Sequence, residues 1–201
     1  KQAYDAGNFA AALRERVPLS QAGDARAEYG LGIMLLYGRG VDRDPAAAAA
    51  LFGKAVKRGN DDAAYALGVL YEDGTGVAAD AAQAAQLYYQ AAQHGQPEAQ
   101  NNLGVMYENG RGVPKDDSEA MKWYRKAADQ GYAEAQFSLG VMYAKGQGVP
   151  KDEAEAVKWY LKAAERGDAL AQDNLGVRYA NGLGVPKDDA EAVGWFRKAA
   201  D

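Results

Sequence analysis

The sequence predicts an all-α chain built as a solenoid of stacked antiparallel helix pairs. Leu31-Gly32, Leu67-Gly68, Leu103-Gly104, Leu139-Gly140 and Leu175-Gly176 recur at an interval of 36 residues. Each pair sits in the pattern Ala-x-x-x-Leu-Gly-x-x-Tyr or a close variant, whose steps of four, one and three place the constant residues on one side of a helix. Glycine-rich turns recur at the same interval, as in Gly110, Gly112 and Gly131 followed by Gly146, Gly148 and Gly167. A unit of this length cannot bury its own apolar face, so neighbours have to stack.

In chain order, residues 1–23 read as a degenerate capping copy, because Ala12 and Gly23 fall 36 positions before Ala48 and Gly59. Repeats at 24–59, 60–95, 96–131, 132–167 and 168–201 follow, all in one solenoid domain. The first helix of each repeat, helix A, carries a glycine at a fixed interior position. Such a residue costs about 1 kcal/mol relative to alanine, so close approach of a large aromatic from a facing helix is the compensating cause expected at Gly68, Gly104, Gly140 and Gly176.

Helix A stops at Gly-x-Gly-Val, where glycine supplies left-handed backbone and Val113, Val149 and Val185 tuck inward. Helix B starts at Asp44, Asp80, Asp116, Asp152 and Asp188, each placed to accept from the free amides of the first turn. Glu119, Glu155 and Glu191 stand three residues on and predict a reciprocal capping box. Pro45 and Pro97 suit first helical positions, and Asn60 and Asp168 suit caps of the following helix A. Helix B alternates large and small residues, as in Ala120, Trp123, Tyr124, Ala127 and Ala128, the arrangement by which stacked helices interdigitate. Around Trp195 and Phe196 the pattern reaches Asp201 before a closing glycine; further residues or another chain, self-association included, would cover that end.

Composition narrows the function classes. Of the 201 residues, 48% are hydrophobic and 25% charged, which suits a folded chain and not a disordered one. A net charge of −5 and a pI near 5.0 argue against nucleic acid as a partner. The most apolar run, Ala46 to Phe52, is far too short to insert in a membrane. The absence of cysteine excludes disulfides and thiolate metal sites. The sequence starts at Lys1 without methionine or an apolar leader, so either a signal peptide was removed or a longer protein was cut.

Across residues 24–201 the pattern Ala-x-x-x-Leu-Gly-x-x-Tyr, Gly-x-Gly-Val-x-x-Asp, Ala-x-x-Trp-Tyr, Ala-Ala-x-x-Gly resembles the Sel1-like repeat family, relatives of tetratricopeptide repeats. The resemblance implies a right-handed α/α superhelix that serves as a non-catalytic adaptor for proteins or peptides, in bacterial settings that include the envelope. Leu35 departs from Tyr71, Tyr107, Tyr143 and Tyr179, and Leu51 and Leu87 stand where tryptophan is usual. A cysteine-rich branch of the family is linked to β-lactam binding; a hydrolase of cell-wall or β-lactam type is the alternative this implies, and the lack of cysteine speaks against it.

Counted along helix A from the second residue of each repeat (25, 61, 97, 133 and 169), positions three, seven, ten and eleven serve the core, so positions two, five, nine and twelve face the opposite way, which in such a superhelix lines the concave groove. Position nine is uniformly β-branched: Ile33, Val69, Val105, Val141 and Val177. Position five varies as Tyr29, Tyr65, Asn101, Phe137 and Asp173, and position two as Arg26, Asp62, Glu98, Glu134 and Leu170. A constant apolar floor with variable selectors suits a protein or peptide, and the carboxylates favour basic residues in it. Tyr29, Tyr65 and Phe137 either contact such a partner or pack between successive A helices.

No catalytic, cofactor or metal residues are assigned. His94, the single histidine, falls at the end of a helix B, where contact with the helix carbonyl end explains it. None of the candidate hydroxyls, Ser20, Ser118, Ser138 and Thr75, lies beside it in sequence. The repeated Gly-x-Gly follows a helix and lacks the third glycine and the lysine of a phosphate loop.

Overall fold

The computed structural model describes residue 4 and residues 7–200. Parts of the expected 1–23 cap, and Asp201, lie outside the described residues. Among those described there are eleven helices and no strand: α1 (Phe9–Gln21), α2 (Ala25–Tyr37), α3 (Pro45–Lys57), α4 (Asp61–Asp73), α5 (Ala81–Gln93), α6 (Pro97–Asn109), α7 (Asp117–Asp129), α8 (Ala133–Lys145), α9 (Glu153–Ala164), α10 (Ala169–Asn181) and α11 (Asp189–Ala200). From α2 onward even numbers are A helices and odd numbers B helices. They fall into two compact units, Lys1–His94 with α1 to α5 and Gly95–Asp201 with α6 to α11.

Start signals work largely as expected. Asp44, Asp80, Asp116, Asp152 and Asp188 each accept from amides two or three residues on, at 2.9–3.0 Å. Asn60 and Asp168 cap α4 and α10, and Asp24 does the same for α2. The reciprocal half of the capping box is not made. The amides of Asp116, Asp152 and Asp188 donate instead to the carbonyls of Tyr107, Tyr143 and Tyr179 at 2.9 Å, stitching the start of helix B to the end of helix A. With those donors engaged, Glu155 turns to Lys158 and to the Trp159 indole nitrogen, and Glu119 to Lys122.

The turn between the helices needs both of its glycines. Gly146 ends α8 at φ 70°, and its amide donates to the Met142 carbonyl. Gly148, also left-handed at φ 69°, lies against the start of α7, where a Cβ would stand 2.6 Å from the Asp117 carbonyl oxygen. The turn is therefore closed by backbone contact with the preceding repeat, which no larger residue would permit.

In the first unit the core gathers Ala48, Phe52, Ala55, Ala63, Leu67 and Leu70, with Val77 half-buried against them. In the second unit one cluster joins Tyr124, Ala127, Ala128, Leu139, Met142 and Trp159, and another joins Val157, Tyr160, Ala163, Ala171 and Leu175. The interior glycines of the A helices are where the rings seat. A Cβ on Gly104 would stand 2.7 Å from the Tyr124 ring, one on Gly140 2.6 Å from Tyr160, and one on Gly68 2.8 Å from Tyr88. The conformational cost of glycine in these helices is thus offset by ring-to-backbone packing.

Candidate functional site

The strip foreseen along the A helices is half sunk into each unit. In the first unit Arg26 and Asp62 are exposed, while Tyr29, Ile33, Tyr65 and Val69 are half-buried. In the second unit Glu98, Asn101, Val105, Phe137 and Val141 are half-buried, Glu134 and Asp173 are exposed, and Leu170 and Val177 are 63% and 39% exposed.

The aromatics at position five rest on the core. Tyr29 lies 5.7 Å from Phe52, Tyr65 5.8 Å from Tyr88 and Phe137 5.8 Å from Tyr160, measured between ring centres. Those partners are themselves seated on Gly32, Gly68 and Gly140. Glycine, core ring and strip ring therefore form three layers, and the outermost keeps an accessible side. Tilted pairs of this kind add about 0.5–1.5 kcal/mol beyond burial. The packing reading thus holds for the inner side of each ring, and the outer side is left accessible.

Four strip residues of the first unit come together in one cleft of about 660 Å³: Arg26, Tyr29, Ile33 and Asp62, with Arg16 and Tyr4 also lining it. Burial pushes the Tyr29 hydroxyl above its ordinary pKa, and the nearby Asp62 carboxylate adds to the rise. Tyr29 consequently stays a neutral donor and acceptor at any physiological pH. Tyr65 and Val69 lie outside this cleft.

Position twelve contributes more than its place on the helix wheel suggested. Tyr88 donates to Glu72 and Tyr124 donates to Glu108, both at 2.7 Å. Each glutamate is thereby held at the edge of the strip by a core tyrosine. Burial raises the Tyr124 hydroxyl far above its ordinary pKa, and the bond to Glu108 raises it further. The constant separation of 16 residues between glutamate and tyrosine in the two repeats was the available signal.

Position four was also silent in sequence and is buried in the structure. Glu28 pairs with Arg58 at 3.2 Å, Gln100 accepts from Gln130 at 2.8 Å, and Gln136 and Gln172 donate to the carbonyls of Ala128 and Ala164 at 3.0 and 3.1 Å. These bonds tie helix ends together and satisfy carbonyls that helix termini leave open.

His94 caps α5, and its Nδ1 lies 2.7 Å from Asp61, so its nearest polar partner is a carboxylate. Among the described residues no group of three or more histidines and acids could hold a metal ion, and no helix is long and apolar enough to cross a membrane.

A family model described as Sel1 repeat matches residues 25–60, 61–96, 97–132, 133–168 and 169–201. Among solved structures, the chain is similar to c5321, described as a protective antigen present in uropathogenic Escherichia coli strains, with 41% identity and a TM-score of 0.91 over 94% of this chain and 40% of that one. It is similar to a Sel1 repeat protein from Oxalobacter formigenes, with 32% identity and a TM-score of 0.94 over 99% of this chain and 79% of that one. The chain thus spans well under half the length of the Escherichia coli protein. A sel1 repeat protein from Klebsiella pneumoniae shares the fold at 24% identity and a TM-score of 0.58, over 92% of this chain and 90% of that one. No curated protein matches the chain.

Proposed function

Because the chain belongs to the Sel1 repeat family, whose members generally act as protein–protein interaction scaffolds, we propose that it is a non-catalytic adaptor that holds a protein or peptide along its A helices. The observation that carries this is the layered strip: rings and β-branched residues with one side accessible, edged by carboxylates. Rigid half-buried aromatics offer contact area at small entropic cost, which is how binding energy concentrates at few residues. Asp62 and the tyrosine-held Glu72 in the first unit, and Glu98, Glu134 and the tyrosine-held Glu108 in the second, each favour a partner segment with basic residues.

Affinity capture with the whole chain as bait tests this. Asp62→Asn with Glu134→Gln removes two exposed charges and should lower the thermal melt only slightly, since both stand in the first turn of their helices. Retention of the captured partner is expected to fall at least about tenfold. Tyr65→Ala with Phe137→Ala lowers retention likewise, with a modest loss of stability. A partner held equally by wild type and by both strip variants, yet lost with a helix B variant, would reject the reading.

A further inference from the structure

We propose that the cleft at the C-terminal ends of α7 and α9 receives the terminal carboxylate of a peptide, held by Arg166, with Gln136 taking the last amide N–H. The cleft shares no residue with the helix A strip, so either assignment can fail without the other.

Repeat one shows which group belongs at such a place. Arg58 and Arg166 follow helix B at the same point of repeats one and four, each 30 residues beyond position four of its own repeat. Both guanidinium groups lie against a left-handed glycine: a Cβ on Gly23 would stand 2.9 Å from Arg58 Nη2, and one on Gly131 2.5 Å from Arg166 Nη2. In repeat one the buried Glu28 meets its arginine at 3.2 Å. In repeat three both places hold glutamine, and Gln130 donates to Gln100 at 2.8 Å. Repeat four combines the arginine of one with the glutamine of the other, and no bond joins them.

A donor group and an acceptor are left unanswered there. Among the described residues no hydrogen bond or ion pair engages the Arg166 guanidinium. Gln136, 4% exposed, gives its N–H to the Ala128 carbonyl at 3.0 Å, and its Oε1 is buried without a partner, a costly state for an amide oxygen. Both residues line a cleft of about 590 Å³, together with Lys162, Asp129 and Glu165. Two cations and two carboxylates leave this cleft without net charge, so a bare anion is not concentrated in it and hydrogen-bond geometry selects the occupant. A peptide terminus carries both complements on one residue: two oxygens for the guanidinium fork and an adjacent N–H for Gln136. An acidic side chain brings the first without the second. Arg166 is exposed, so it can lift from Gly131 and admit the N–H to the oxygen beneath.

The test titrates the isotopically labelled whole chain with N-acetylalanine, which has a carboxylate and its neighbouring N–H. Magnetic resonance follows the Arg166 Nε–H, the Gln136 side-chain amide and the Gly131 backbone amide. Saturable shifts are expected at all three, with the exposed Arg26 unmoved. Propionate lacks the N–H and N-acetylalanine amide lacks the charge, and each binds at least about tenfold more weakly. Arg166→Gln changes an exposed side chain, so the melt stays unchanged while the shifts at Gly131 and Gln136 disappear. Gln136→Glu places in repeat four the carboxylate that Glu28 supplies in repeat one; Arg166 closes on it and the titration is lost. No saturable shift, an equal response to propionate, or an equal response at Arg26 overturns the proposal. So does a titration that survives Arg166→Gln.

Discussion

Repeats four and five carry nearly the same helix B, Glu153-Ala-Glu-Ala-Val-Lys-Trp-Tyr in α9 and Asp189-Ala-Glu-Ala-Val-Gly-Trp-Phe in α11, yet the two differ sharply in burial. Trp159 is 3% exposed, between Arg125 at 4.6 Å and Lys162 at 3.8 Å, whereas Trp195 is only half-buried beneath Lys198 at 3.9 Å. The motif determines which residues point inward; the adjoining helices determine how far inward is. In a chain with neighbour contacts alone, equal sequence does not imply equal stability.

The largest consequence concerns the tryptophans. Trp159→Ala is expected to cost about 3–5 kcal/mol, through lost burial and an unfilled cavity. Trp195→Ala opens no closed cavity and should cost about 1–2 kcal/mol. Denaturant unfolding of the two variants measures the gap. Equal losses would show that α11 is as enclosed as α9 and would break the comparison.

Glycine sharpens it with a change of sign. A Cβ on Gly140 would meet the Tyr160 ring at 2.6 Å, so Gly140→Ala overpacks the repeat and should cost about 1–3 kcal/mol. Gly194, inside α11, has nothing within 4 Å of its would-be Cβ. Gly194→Ala should therefore stabilise by about 0.5–1 kcal/mol, from helix propensity alone. Thermal melts of the pair decide it, and destabilisation at Gly194 would mean that the α11 backbone is approached by another group.

These pairs also show what can be read from one chain. Repetition made Gly140 legible: a residue that disfavours helices, recurring inside them, needs a steric reason, and the aromatic in the facing helix supplied it. Asp116 and Asp152 were legible because capping is local. The capping box misled because Glu119 and Glu155 satisfy its spacing, while the amides they would reach are taken by Tyr107 and Tyr143, a fact of turn geometry that spacing does not encode. Gln136 and Gln172 were invisible because a polar residue on a helix reads as surface until the carbonyl it serves is placed. The strip residues were expected by elimination from the core face, which singled out Tyr29 and Phe137 but not their seats on Phe52 and Tyr160.

The smallest and most pointed prediction concerns position ten of helix A. Met34, Leu70, Met106 and Met142 fill it in four repeats, and Arg178, 8% exposed, fills it in the fifth. Its guanidinium lies 4.5 Å from the Tyr160 ring, and Nη2 is 3.6 Å from Glu153 Oε2, too long for a good hydrogen bond. Its Nη1 donates to the Asn174 backbone and side-chain oxygens only at 3.4 and 3.3 Å, and its Nε has no hydrogen-bond partner. A buried cation so loosely compensated adds little net stability, since its desolvation opposes the attraction it gains. Arg178→Met, which restores the side chain found at this place in repeats one, three and four, should be neutral or stabilise by up to about 1 kcal/mol. Glu153→Gln alone should destabilise, because it leaves the cation buried without its counter-charge; once Arg178→Met is present it should cost only about a few tenths of a kcal/mol, from its exposed pair with Lys151 and its place in the first helical turn. If Arg178→Met instead costs more than about 1 kcal/mol, the pair with Glu153 and the contact with Tyr160 are stronger than their geometry indicates. Repeat five would then be fastened to repeat four by charge as much as by the apolar contacts that join the others.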